Sequence, residues 1–536
     1  MTQMDGQAIA TGAWTSAARA MPTRGCRQCL SNFEAMTGRV GAFPAMAARR
    51  MQALMKWGVG MLMAAAGSAG AATNPAQAWP AYHQTQARQP WSYEAVARTR
   101  FDGGQRRSFV LASQSWPDPQ QGAVWRHRVE LLQPDVAQPG PALLVINNGV
   151  AHDGGGRPAG AANDLPDDVL ETLVRTLGMA VVSIADVPPQ AMVLPGDPVL
   201  RTEDDLVAAS WRRYLDAPAA HAHWPLHLPM AVSAIRAMDL ADRELAVAQR
   251  PSYIVTGASK RAWASWLLPL VDERVSHLAP FVIDMHWQAL APHIGRVYGG
   301  RWPIALAPYV EHRITDAIGS EGFADLMGIV DPYTYLQGPR ASRLALPKLL
   351  VNASGDDFFP PDATIHYLSA MPGPTTLRVA PNSDHGGIRR HTLEMLVPAL
   401  RRWRSGLPLP QVHSHWEAAT ARMHVQAGKE RPVSAVLWQA YNPDARDFRH
   451  ACGIAYAPTA LAVAADGHME VALETPGQGW TASFVELHYP DGMIVTTPVQ
   501  VLPQERFPDP PPVQGAGRCR LVPAPAAVAS LPAQQE

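Results

Sequence analysis

The run Thr256-Gly257-Ala258-Ser259-Lys260-Arg261 carries the strongest chemical signal in the sequence. An apolar stretch at 253–256 runs into two small residues, a serine and then a helical pattern. A strand, a tight turn and a helix in that order project a serine hydroxyl above a sheet edge, as a nucleophile elbow does. The helix start adds free N–H groups and the positive end of a dipole, which favour a developing oxyanion. The usual G-x-S-x-G pattern asks for glycine at 261, where Arg261 stands; a small residue, Ala262, arrives one place later. The competing reading is a serine that merely caps the helix.

Such a nucleophile needs a carboxylate and then a histidine later in the chain. The apolar run at 349–352 is followed by Gly355-Asp356-Asp357-Phe358-Phe359-Pro360, and the run near Val379 by Asn382-Ser383-Asp384-His385-Gly386. His385 would take the Ser259 proton, while a carboxylate fixes the imidazole tautomer and stabilises its charged form. Asp356 is the first choice of acid, Asp357 the second, and Asp284, at the end of an earlier run, the third. An ordinary loop histidine is the alternative for His385. The oxyanion hole calls for the backbone N–H of Lys260 and a second donor from the loop around Asn148, Gly149 and Val150.

Lys260 and Arg261 put two cations beside the serine. Either they hold an acidic group on a substrate, or they pair with Glu203, Asp204 or Asp205. Thr202-Glu203-Asp204-Asp205 itself reads as a helix start with acidic first-turn residues. The sequence has no H-E-x-x-H, no Walker loop and no G-x-G-x-x-G after a strand, so no metal and no cofactor is expected.

A sheet must position these residues. Short apolar runs at 142–146, 179–184, 253–256, 278–283, 348–352 and 376–379 read as strands buried on both faces. Ala231, Ala234, Ile235, Met238, Ala241 and Leu245 fall at helical spacing before the third of them, and 261–270 reads as a helix after it. This alternation predicts an α/β-hydrolase fold over 79–406, a mostly parallel sheet with helices on both faces. Stretches at 186–229 and 285–336 interrupt it, either as caps over the active edge or as surface decoration. After Leu407-Pro408-Leu409-Pro410 the texture changes. Strand-like pieces at 435–440, 469–473, 482–487 and 493–497, with turn signals at 465–467 and 490–492, predict an all-β, Ig-like sandwich over 410–522. A Pro/Ala-rich tail over 523–536 reads as disordered.

The 536 residues are too many for one ordinary core, and a net charge of -1 gives no basic excess, so no nucleic-acid partner is expected. Arg49, Arg50 and Lys56 precede an apolar run at 57–66 and then small residues at 67–72, the make-up of a secretory signal peptide over 51–78. The run is too short and too rich in glycine for a permanent membrane span. Residues 1–50 ahead of it read as an over-extended start or an unusual leader. A periplasmic or secreted location follows. Cys26 and Cys29 fall in that leader, which leaves Cys452 and Cys519 as a disulfide candidate, with two free thiols as the alternative.

Taken together, these motifs resemble the PhoPQ-activated pathogenicity-related protein family. The resemblance rests on Val255 to Arg261 with Trp263, Asp186-Val187-Pro188-Pro189-Gln190, Arg201 to Asp205, Trp224-Pro225-Leu226, Leu228-Pro229-Met230 and Ala234 to Asp239. Ile329 to Leu336, Pro347 to Pro361, Asn382 to His385 and Asn442 to Arg449 complete it, so it spans roughly 79–503. It implies an α/β-hydrolase fold, export to the envelope and links to bacterial virulence and antimicrobial-peptide resistance; it supplies no substrate. The family pattern has glycine after the Lys-Arg pair, where this chain has Ala262. The spacing also resembles that of glucuronoyl esterases, in which a basic residue after the nucleophile contacts a carboxylate-bearing sugar.

Three functions stand open on the sequence. The first is a serine hydrolase acting on an ester or amide, with a small molecule, a sugar ester or a peptide as substrate. The second is a non-catalytic envelope factor that binds through the same scaffold. The third is a peptidase of the prolyl-oligopeptidase type, suggested by the Asp356-Asp357 pair.

Overall fold

The computed structural model describes residues 74–118, 120, 122–150, 160–245, 252–509, 511–512 and 515–523. The leader at 1–50 with Cys26 and Cys29, the signal segment up to residue 73, and the tail beyond 523 lie outside the described residues. The segment expected to end the signal peptide is described from Asn74. Pro75–Gln77 form a 3-10 turn, and Ala76 and Ala78 pack against the core.

Nine strands form the main sheet: β1 (Ser92–Phe101), β2 (Gly104–Trp116), β3 (Ala123–Pro134), β4 (Ala142–Ile146), β5 (Val181–Ile184), β6 (Tyr253–Ala258), β7 (Val275–Phe281), β8 (Lys348–Ala353) and β9 (Thr375–Ala380). Their order is β1-β2-β3-β5-β4-β6-β7-β8-β9. β1, β2 and β3 form antiparallel hairpins, and β3 joins β5 antiparallel. Every pairing from β5 through β9 is parallel. The expected runs reappear as β4 to β9, with the 278–283 run drawn back to Val275–Phe281. The antiparallel strands β1 to β3 add to the runs expected from the sequence. β1 is exposed along most of its length, so it lacks the apolar run of a buried strand.

Alternation along the central strands buries both faces. In β4, Ala142, Leu144 and Ile146 enter one apolar cluster, and Leu143 and Val145 the other. The chain also forms helices α1 (Ala78–Ala87), α2 (Asp167–Leu177), α3 (Glu203–Asp216), α4 (His227–Glu244), α5 (Lys260–Leu267) and α6 (Thr392–Arg404). α4 and α5 bury Met230, Met238 and Trp263 in the first cluster; α2 and α6 bury Leu173 and Leu400 in the second. A mixed sheet covered on both faces, with a strand–serine–helix turn at β6, is the architecture expected of an α/β-hydrolase.

The C-terminal strands form two further antiparallel sheets. One holds Val412–Glu417, Arg422–Ala427 and His468–Ala472; the other is built on Ser434–Asn442 and Trp480–His488. Met423, Val425 and Val471 of the first and Leu437, Val485 and Leu487 of the second share the apolar layer that α2 and α6 also fill. Ile494–Thr496 packs on the edge strand β9, where the Val379 N–H donates to Thr496 Oγ1 at 2.9 Å and Arg378 pairs with Glu486, both buried. An edge covered in this way is closed to further strand pairing. The final strand, Leu521–Pro523, pairs antiparallel with Arg301–Pro303, so Pro523 lies in a ladder opposite Arg301.

A buried charge cluster ties the two parts together. Asp362 follows β8, with His293 Nε2 3.1 Å from its Oδ1 and Arg446 donating to its Oδ2. Burial works to raise the Asp362 carboxyl, but His293 and Arg446 outweigh it and hold it well below the usual carboxylate range. A carboxyl depressed on folding contributes stability above its unfolded pKa, about 3.9, and loses it as pH falls towards the folded value. Arg446→Met, which leaves that carboxylate short of its partner, should cost about 3–5 kcal/mol at neutral pH in urea unfolding. The gap from the parent should narrow in acid, below about pH 4; an equal gap at both pH values would locate the loss in packing.

Candidate active site

The elbow starts from a backbone crossing. A Cβ on Gly257 would meet the carbonyl carbon of Arg261 at 3.0 Å and the carbonyl oxygen of Ile146 at 3.1 Å, so any side chain there would press on α5 and β4. Ser259 then takes φ 57° and ψ -129°, a conformation that costs a non-glycine residue about 1–3 kcal/mol. Its N–H donates to the Phe281 carbonyl at 2.9 Å, and its carbonyl accepts from Trp263 N–H at 2.9 Å. The Ser259 side chain makes no capping hydrogen bond to α5. The helix-cap reading therefore has no support in the geometry, and the hydroxyl stands at the carboxyl end of β6.

The loops after β8 and β9 leave the same edge of the sheet. His385 Nδ1 lies 2.8 Å from Asp356 Oδ2 and 3.0 Å from Oδ1. Asp356 Oδ1 also accepts from Phe358 N–H at 2.7 Å, which fixes the carboxylate. With Nδ1–H turned to Asp356, the ring presents its other nitrogen as an acceptor. That atom, Nε2, is buried and has no hydrogen-bond partner among the described residues. Burial works to lower the His385 pKa, but the Asp356 carboxylate more than offsets it and leaves the imidazole raised above its ordinary value. Phe358 lies 4.5 Å from the ring, centroid to centroid, and Phe359 links it to Trp287 in an edge contact at 5.8 Å.

The other two candidate acids are engaged elsewhere. Asp357 pairs with Arg518, and burial together with Asp356 raises its carboxyl. Asp284 Oδ1 accepts from Tyr367 Oη at 2.6 Å and from Asn352 Nδ2 at 2.9 Å. Among the oxyanion candidates, Lys260 opens α5, where backbone N–H groups have no partner within the helix. The Asn148 N–H is directed 3.1 Å to the Asn147 side-chain oxygen. Gly149 has φ 133°, and a Cβ there would fall 2.5 Å from Asp186 Oδ1, so this loop is pressed against the Arg128–Asp186 ion pair.

Lys260 and Arg261 turn to protein partners. Lys260 Nζ lies 2.7 Å from Glu203 Oε2 and 3.2 Å from Asp204 Oδ2; Arg261 Nη2 lies 2.8 Å from Glu203 Oε1. Arg261 Nε also donates to the Val187 carbonyl at 2.7 Å. Both cations are buried. Burial works against the Glu203 carboxylate, but the two cations prevail and hold it well below its usual range. Asp205 is absent from this group and pairs with Arg201 and His312. Of the two readings of the cations, the structure realises the acidic pairing at Glu203 and Asp204.

Sequence reasoning missed Arg518. Its guanidinium bridges Asp357 and Asp384, the neighbours of Asp356 and His385, with Nη1 2.8 Å from Asp384 Oδ2. A disulfide joins the adjacent Cys519 to Cys452. A Cβ on Gly355 would fall 2.6 Å from His450 N, so the acid loop lies directly on the segment that carries Cys452. No local signal could reveal a cation 134 residues from one partner and 161 from the other.

Burial pushes the Asp284 carboxyl up to about 7, against its bonds to Tyr367 and Asn352. A carboxyl raised on folding leaves stability intact below its unfolded pKa of about 3.9 and erodes it as pH climbs to the folded value. Asp284→Asn keeps the accepting oxygen and removes that titration. The variant should therefore gain roughly 1–4 kcal/mol over the parent between pH 5 and pH 8 in thermal or urea unfolding. A pH-independent difference would show that Asp284 does not titrate in this range.

The described helices include none long and apolar enough to cross a membrane. The model of the PhoPQ-activated pathogenicity-related protein family matches residues 80–449. The chain is 26% identical over 409 residues to the autocrine proliferation repressor protein A of Dictyostelium discoideum, covering 71% of this chain and 79% of that protein. Similar solved structures include an acetyl xylan esterase from Paenibacillus sp. R4, at a TM-score of 0.42 and 17% identity over 62% of this chain and 95% of that one. A glucuronoyl esterase from Solibacter usitatus gives a TM-score of 0.36 and 14% identity over 59% of this chain and 88% of that one. The family match spans the elbow, both candidate loops and the Glu203 cluster, and the chain belongs to the PhoPQ-activated pathogenicity-related protein family.

Proposed function

We propose that this protein is an exported serine hydrolase that cleaves an ester or amide through Ser259, His385 and Asp356. The observation that carries this reading is the fixed Asp356–His385 pair, which leaves Nε2 unpartnered on the sheet edge where Ser259 is held in a strained turn. His385 Nε2 takes the hydroxyl proton as Ser259 Oγ attacks the substrate carbonyl. Asp356 stabilises the imidazolium, and the oxyanion forms against the Lys260 N–H at the start of α5. The imidazolium then protonates the leaving alcohol or amine, and water, activated by the same nitrogen, releases the acyl group. Because the Lys260 and Arg261 charges are already paired, the Glu203 cluster serves to hold the elbow in this reading. Small molecules, sugar esters and peptides remain the substrate classes to compare. The stretches at 186–229 and 285–336 act as caps, the second placing Trp287 beside the Phe358–Phe359 wall.

A second reading is binding of a partner through the same scaffold without turnover, since a fold does not by itself fix an activity. A fluorophosphonate probe separates the two. The mature protein should be modified at Ser259; Ser259→Ala should abolish modification, and His385→Ala should slow it by at least about a hundredfold. Model-ester turnover should follow the same pattern, with the Ser259→Ala variant still folded. Full ester turnover by Ser259→Ala would sink the hydrolase assignment, and no labelling of the folded parent would favour the binding reading.

A further inference from the structure

We propose that the solvent face of the three-stranded C-terminal sheet binds a borderline divalent cation of the Zn2+ type through His424, His468 and Glu470. The strands Arg422–Ala427 and His468–Ala472 run antiparallel, with His424 directly opposite Glu470 and His468 opposite Gln426. Side chains two residues apart on a strand share a face, so both imidazoles and the carboxylate rise from the same side of the sheet. One ligand atom from each lies within 4.8 Å of the others. His424 Nδ1 is 3.7 Å and His468 Nε2 3.6 Å from the same oxygen, Glu470 Oε1. Two ligand atoms on one tetrahedral zinc, at bonds near 2.0–2.1 Å, stand about 3.4 Å apart. Small rotations of these partly exposed side chains close the difference. His415 stands opposite His424 on the other neighbouring strand, in position to supply a fourth ligand in place of water.

The chemistry of the set selects the ion. Two neutral imidazoles and one carboxylate suit Zn2+, Ni2+ or Cu2+ rather than Ca2+ or Mg2+, which favour oxygen alone. Glu470 and the nearby Glu417, whose Oε2 lies 3.5 Å from His424 Nε2, supply negative charge. Arg422 opposes it, with Nη1 3.4 Å from Glu470 Oε2, the oxygen the imidazoles do not face. The sequence shows no metal-binding motif here because the two histidines lie on strands that are neighbours only in the folded sheet. This proposal is independent of the Ser259 assignment.

The test is calorimetric titration of the chelator-treated, untagged protein with zinc chloride. One equivalent should bind saturably. His424→Asn and His468→Asn should each weaken it at least tenfold, and His488→Asn, outside the cluster, should leave it unchanged. Arg422→Gln should tighten it severalfold, a gain that misfolding cannot mimic. Absence of saturable binding to the parent, or binding that withstands both histidine changes, would overturn the proposal.

Discussion

A close backbone approach two residues before Ser259 shapes much of the candidate site. β6 passes under the start of α5 so tightly at Gly257 that a single added carbon would press on Arg261 and on the Ile146 carbonyl of β4. Two residues on, the chain turns at Ser259 in a conformation a non-glycine residue rarely adopts. Strain of this kind persists only where the surroundings over-determine it. Here the parallel sheet holds the Ser259 N–H on Phe281, and Trp263 binds its carbonyl. Buried Arg261 and Lys260, locked on Glu203, anchor the first turn of α5 from the other side. The cations beside the serine are thus more simply understood as part of the scaffold than as a docking point for an acidic substrate.

A comparable arrangement holds the other end of the site. The loops carrying Asp356 and His385 leave adjacent strands and meet at a short hydrogen bond, but each is also gripped from the C-terminal side. Arg518 spans Asp357 and Asp384, His450 N–H donates to the Gly355 carbonyl, and the Cys452–Cys519 disulfide fastens the segments that bring these groups in. Together with the Arg446–Asp362–His293 cluster, these contacts make the C-terminal strands a support for the acid and histidine loops. The shared apolar layer beneath α2 and α6 works in the same direction. The Arg446–Asp362 pair is buried on both sides, and such a pair is strongly destabilising to break even where forming it yields little net stability.

The strand–serine–helix turn and the loops that carry Asp356 and His385 were legible because each follows an uninterrupted apolar run, and runs buried on both faces mark parallel strands. Family membership was legible for a related reason: long motifs around those turns keep their residue types in order. Where the residues left alternatives, geometry separated them. Asp356, not Asp357 or Asp284, meets His385; Glu203 and Asp204, not Asp205, take the cations. Neighbouring carboxylates in sequence look alike, and only the direction of each side chain tells them apart. The Asn148 N–H, one of the expected oxyanion donors, lies 3.1 Å from the Asn147 side-chain oxygen. A loop's local hydrogen bonds depend on its backbone path, which composition does not specify.

Read alone, the residues marked the runs that become β4 to β9, the two helices that flank β6, the strand–serine–helix turn and the family. These follow from local periodicity and from residue types that a tight turn permits. The antiparallel start of the sheet emerged only on folding, since β1 is too exposed to show an apolar run. So did the Arg518 bridge, the seating of the acid loop on the disulfide segment and the histidine-rich face of the small sheet. Each of these joins residues distant in the chain, and such contacts leave no periodic trace because they form only once the strands have paired and the layers have packed.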